Sequence, residues 1–123
     1  MDAIKEACLK NDIKKVDKMI RNRGIFPEMY DELFYFVCTE NAPLRIIKRI
    51  HEEQSENIHC YEAALIEVCA RGYRDIARYI FNIASVNISA RDDYAFINAC
   101  KNGHYHIVSW LIDLQKTRTQ SKR

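Results

Sequence analysis

The sequence predicts an all-α protein, a helical solenoid of four helix-turn-helix repeats, and three observations carry that expectation. Cysteine recurs at a nearly constant step: Cys8, Cys38, Cys69 and Cys100 are 30, 31 and 31 residues apart. Four positions before each stands an apolar anchor (Ile4, Phe34, Leu65, Phe96), and directly before it Ala7, Val37, Val68 or Ala99. That i, i+3, i+4 spacing is one face of a helix. Three residues past each cysteine comes Asn11, Asn41, Gly72 or Gly103, the residue types that accept a left-handed backbone and close a helix. A helical hairpin this short cannot bury both its faces alone. Stacked copies can.

The repeats follow in order over residues 1–115. The first, about residues 2–30, contains "AIKEACLKNDIKKVDKMI". In the second, about 31–60, an extra residue around "NAPLR" shifts the second-helix stripe to Ile46, Ile47 and Ile50, and Pro43 suits a first helical turn. The third, about 61–91, has its stripe at Ile76, Ala77, Ile80 and Phe81. In the fourth, about 92–115, the stripe is Ile107, Val108, Leu111 and Ile112. Residues 116–123, "KTRTQSKR", are expected to form a disordered basic tail.

Composition agrees with a globular domain. The 123 residues are 48% hydrophobic and 29% charged, unlike a disordered chain. Three Gly and two Pro are too few for the turns of a β-sandwich. No apolar run approaches the ~18 residues of a membrane helix. The polar start "MDAIKEACLKND" is not a signal peptide, which predicts a cytoplasmic protein, the nucleus being reached by diffusion. In a reducing compartment the five cysteines are expected to be free.

The segment "DYAFINACKNGHYHIVSWLIDL" resembles an ankyrin repeat, with its small–small pair, two variable residues, Gly-His and aliphatic pair. The third repeat, with "VCARGY", is a fair match, and the first two follow from register. The period of ~31 is shorter than the usual ~33, and "YAFINA" stands where the family has Thr-Pro-Leu-His. This Tyr-Ala form is similar to ankyrin arrays of large DNA viruses that infect eukaryotes. The resemblance therefore implies an ankyrin-type solenoid and a viral protein that binds a host protein in the host cytoplasm. It implies that the two residues after each small–small pair face partners: Leu9 and Lys10, Thr39 and Glu40, Ala70 and Arg71, Lys101 and Asn102. Finger-like positions are Tyr61, Glu62, Arg91 and Asp92, and His104 packs between repeats.

Other residues are read from their own positions. Phe36 holds a place taken elsewhere by Glu6, Glu67 and Asn98, so it is expected to face outward as a binding anchor, with Tyr35 buried. Tyr79 and Trp110 are expected in the core, Asp93 as a helix cap, and His51 as a cation at a helix end. Equivalent positions in stacked helices lie about 8–10 Å apart, beyond the ~7 Å that a disulfide spans. The register cysteines are thus buried markers, and Cys60 is the thiol expected to meet solvent. "CKNGHYH" lacks paired metal-ligand spacing. No phosphate loop, nucleophile elbow or dinucleotide fingerprint occurs. The expectation is a non-enzyme without cofactor or metal.

Charge is sorted by position although the net is only +2. Second helices (13–23, 43–51, 74–84, 104–115) carry ten Lys/Arg and three Asp/Glu; the remainder through residue 103 carries five and fourteen. The leading expectation is a protein-binding module whose acidic face (Glu40, Glu62, Glu67, Asp92) receives a basic segment of its partner. The alternative is nucleic-acid binding through the basic second helices and tail. It is disfavoured because exposed aromatics are not interleaved with the basic residues. The chain is expected to be monomeric or to self-associate weakly through an uncapped end.

Overall fold

The structure of the protein, a computed structural model, describes residues 2–88 and 90–121, the side chains of 90–92 and 118–121 lying outside the description. Among the described residues there are α-helices and no strand. They are α1 (Asp2–Leu9), α2 (Ile13–Arg21), α3 (Tyr30–Thr39), α4 (Leu44–Glu53), α5 (Tyr61–Arg71), α6 (Arg74–Ile83), α7 (Ala90–Lys101) and α8 (Tyr105–Ser121). Short 3-10 turns occupy Pro27–Met29 and Ser55–Asn57. The helices fall into four consecutive helix-turn-helix pairs, as the spacing predicts. The chain divides into two compact units, Met1–Ala64 and Leu65–Arg123, with the division inside α5.

All four pairs are closed in the same way. Asn11, Asn41, Gly72 and Gly103 take positive φ values of 58°, 59°, 83° and 73°. The N–H of the following residue donates back to the residue before each cysteine: Asp12 to Ala7 at 3.0 Å, and Ala42 to Val37, Tyr73 to Val68 and His104 to Ala99 at 2.9 Å. The turn residue itself donates to the cysteine carbonyl, at 3.1–3.3 Å, in every pair. This is the two-bond Schellman closure, which satisfies carbonyls that a helix end would otherwise leave orphaned. Asp12 then caps α2 by accepting from the Lys15 N–H at 3.2 Å.

Each unit buries its own apolar stripe. In Met1–Ala64, Ile4, Val16, Leu33, Phe34, Val37, Ile46, Ile47 and Ile50 are buried; in Leu65–Arg123, Leu65, Val68, Ile76, Ile80, Ile107 and Leu111 are. Each such side chain contributes about 1.5–3 kcal/mol relative to exposure, so these stripes outweigh any surface ion pair in the molecule.

Several expectations are corrected. Pro43 is the N-cap of α4 rather than a residue of its first turn. Asp93 is not a cap, because α7 already begins at Ala90; it takes a left-handed φ of 62° within that helix. Residues 116–121 are not a disordered tail but the end of α8, since nothing after Gly103 is Gly or Pro and the cations suit a helix C-terminus. Residues 122 and 123 lie outside the described residues. Arg23 repeats the left-handed closure at the end of α2 (φ 57°), which its residue type gave no reason to expect.

His51 is also read differently. Its ring lies 5.8 Å from Phe34 and 5.9 Å from Tyr61, and Nε2 is 3.1 Å from the Tyr61 hydroxyl. Burial lowers its pKa, with Glu52 opposing. The neutral imidazole fits this aromatic setting, not the cation expected from the helix end.

Two outcomes follow from these contacts. A Cβ on Gly72 would sit 2.6 Å from His104 Nδ1, whereas one on Gly103 would meet nothing within 4 Å. Gly103→Ala should therefore cost only the left-handed strain, about 1 kcal/mol, and Gly72→Ala a further ~1–3 kcal/mol of crowding. Urea denaturation measures both, and adding His104→Ala should restore the crowding part alone. For His51, a depressed folded pKa means the native state holds fewer protons than the unfolded one. Its stabilising share is present above the unfolded value of 6.5 and is lost as pH falls below it toward the folded value. Between about pH 7.5 and pH 5.5 the denaturation midpoint should fall, and fall less in His51→Gln.

Candidate functional site

The residues expected to meet a partner lie beside the left-handed turns and at the starts of first helices. In the unit Met1–Ala64, α1 packs on α3, and this neighbour decides which α3 side chains are free. Lys5 Nζ lies 4.8 Å from the centroid of the Phe36 ring and 3.3 Å from Glu32. Phe36 is therefore half-buried rather than outward, and Tyr35, expected to be buried, is 37% exposed. A cation on an aromatic face is favourable, so Phe36 belongs to the α1–α3 joint. Tyr61 is likewise half-buried: it packs its edge on Phe34 at 5.5 Å and bonds His51. Lys10 is exposed and pairs with Glu6 at 2.7 Å; Glu40 is exposed at the C-cap of α3; Glu62 is half-buried.

In the unit Leu65–Arg123, Glu67 and Arg71 pair along α5 at 3.5 Å. Lys101 and Asn102 are exposed at the end of α7, and Asn102 Nδ2 donates to the Ala70 carbonyl at 2.8 Å. That bond brings the turn residues of α5–α6 and α7–α8 side by side. Arg91 and Asp92 fall within α7, and their side chains lie outside the described residues. His104 packs its ring on Gly72, and His106 Nε2 is 3.1 Å from the Gly72 carbonyl.

Sequence reasoning overlooked the fasteners between successive turns. Arg45 donates through Nε to Asn11 Oδ1 at 2.6 Å and through Nη2 to the Asn11 carbonyl at 3.0 Å. His106 meets the Gly72 carbonyl from the matching place in its own pair. A polar group shortly after each turn was the available signal. Asp31 does similar work: Oδ1 accepts the His59 and Cys60 N–H groups at 2.6 and 3.0 Å.

The thiols carry no sign of chemistry, but their order of access is corrected. Cys8, Cys38 and Cys69 are buried, and burial pushes their pKa values up, to about 11 for Cys8 and about 12 for Cys69. Cys60, expected to meet solvent, is half-buried, with Sγ donating to the Asp31 carbonyl at 3.4 Å and its pKa raised to about 12, mainly by burial. Cys100, expected in the core, is exposed. All five are free. Among the described residues no group of three His, Cys, Asp or Glu side chains is arranged to hold a metal, and no helix is long and apolar enough to cross a membrane.

No family model matches the chain, and no solved structure matches it. Over 52 residues, 42% of its length, it is 40% identical to a protein of Acanthamoeba polyphaga mimivirus named as an ankyrin repeat protein. The matched stretch is 8% of that protein's length. The described residues thus form helices without strands, and over part of its length the chain is similar to an ankyrin repeat protein.

Proposed function

We propose that this chain is an ankyrin-type array of four repeats, acting as a non-catalytic module through which a viral protein binds a host protein. The observation that carries the reading is the fourfold recurrence of one left-handed closure, beside which exposed side chains recur: Leu9 and Lys10, Glu40, Arg71, then Lys101 and Asn102. These project from helix ends held rigid by the bonds just described. Rigid presentation lowers the entropy cost of binding. The apolar anchors are Leu9 and Tyr35, the latter replacing Phe36, and the acidic Glu40 and Glu67 favour a partner with a basic segment. Complementary charge acts mainly on encounter, and salt screens it.

Nucleic-acid binding is the second reading, favoured only by α2, where Lys14, Lys15 and Lys18 are all exposed. Affinity capture from eukaryotic cell lysate separates the two. Wild type and Lys14→Glu/Lys18→Glu should retain the same host protein, whereas Tyr35→Ala/Glu40→Lys should lose it. On the purified partner, Glu40→Lys alone should slow association about tenfold at low salt, with the difference shrinking at high salt. If the α2 variant loses its partner while the turn variant keeps it, or wild type binds random duplex at physiological salt, the protein-binding reading fails.

A further inference from the structure

The far end of the first helix pair borders a cleft that the turn surface does not use. Its volume is about 560 Å³, within the size range of ligand sites. Its walls come from two successive pairs of the unit Met1–Ala64: the end of α2, the link after it, the start of α3 and the end of α4. Ile20, Ile25 and Tyr30 form a buried floor, and Phe26 stands beside them 60% exposed. An exposed aromatic next to an apolar floor offers the apolar half of a binding site.

Donors supply the polar half. Arg21 and Arg23 are exposed and line the cleft, and among the described residues neither guanidinium pairs with a carboxylate. Glu53, which also lines it, is already engaged by Arg49 at 3.0 Å. Tyr30 is 2% exposed, yet its hydroxyl has no hydrogen-bond partner among the described residues. At that exposure water serves a hydroxyl poorly, so an acceptor entering the cleft is favourable. Linking one pair to the next does not require this set of residues. Counted from Cys69, the places of Arg21, Arg23 and Phe26 hold Asn82, Ala84 and Asn87. Arg23 also takes a left-handed φ of 57°, although Gly24, which would accept it freely, comes one place later.

We propose that this cleft binds a short acidic peptide of a partner protein. An aromatic or aliphatic side chain of the peptide lies on the floor against Phe26, and flanking carboxylates meet Arg21 and Arg23. Tyr30 donates to a peptide oxygen. Guanidinium groups receive carboxylates in forked pairs, and such charged hydrogen bonds are the stronger kind. The cleft adjoins the start of α3, whereas Glu40 follows its end. The contact is therefore separate from the turn surface and takes the opposite charge. Either surface can fail without the other.

Titrating the isotope-labelled full chain with the peptide acetyl-Asp-Glu-Phe-Asp-Glu-amide, followed by nuclear magnetic resonance, tests it. Amide shifts should gather at residues 20–30 and 53–54, at millimolar affinity or tighter, and should spare Glu40. Replacing the peptide's acids by Asn and Gln, or its Phe by Ser, should weaken binding about tenfold or more. Arg21→Glu/Arg23→Glu should abolish the shifts. Arg23→Gly gives a readout that a structural role would not: binding weakens while the urea midpoint holds or rises, because glycine relieves the left-handed strain. Glu40→Lys should bind the peptide as wild type does, which keeps this test apart from that of the turn surface. No shift at millimolar peptide, equal shifts with the Asn and Gln peptide, or undiminished binding by Arg21→Glu/Arg23→Glu overturns the proposal.

Discussion

The left-handed turn after each first helix is the constraint on which the rest depends. One residue at φ near +60 to +80° lets two backbone bonds close the helix end and sends the chain back as a second helix. Its occupant is set by what arrives from the next pair. In the first unit Asn11 suffices, because its side chain and carbonyl both receive Arg45. In the second unit the His104 ring fills the space a Cβ would take, so only glycine fits at position 72. Gly103 meets no such neighbour, and there glycine answers the backbone alone.

The same closure explains the recurring cysteine without chemistry. What the turn uses is the cysteine's backbone carbonyl, which any residue supplies. At Cys8, Cys38 and Cys69 the side chain is buried among apolar neighbours, where a small, weakly polar group fits. Low dielectric then disfavours the thiolate, which is why burial raises the pKa at Cys8, Cys38 and Cys69. A thiol held protonated is a poor nucleophile and a poor metal ligand.

Features written in local spacing were legible in the sequence: the four turns, the pairing of helices and the apolar stripes. Features decided by a neighbour were not. Tyr35 and Phe36 differ by one step of helix rotation, and only the reach of Lys5 from α1 decides which ring is covered. The exposure of Cys100 and the withdrawal of Cys60 depend on what lies over them, which register does not report. The helix through residue 121 was missed because a run of charges reads as solvated tail, whereas helix formers without a breaker simply continue α8. The candidate site suffered most, since Tyr61 and Phe36 are spent on packing that no periodicity reveals.

Apolar burial and polar fastening divide the work between successive pairs. The apolar stripes supply most of the stability, but the hydrophobic effect is non-directional, so two flat helical faces have many registers of similar energy. Hydrogen bonds add only about 1 kcal/mol each on balance, yet they are met at one register. Arg45 on Asn11 fixes the joint in the first unit; Asn102 on Ala70 and His106 on Gly72 fix it in the second. Because each fastener lands on the preceding turn, it is the turns that are aligned. Within each unit, the residues beside the joined turns are thereby held in one register.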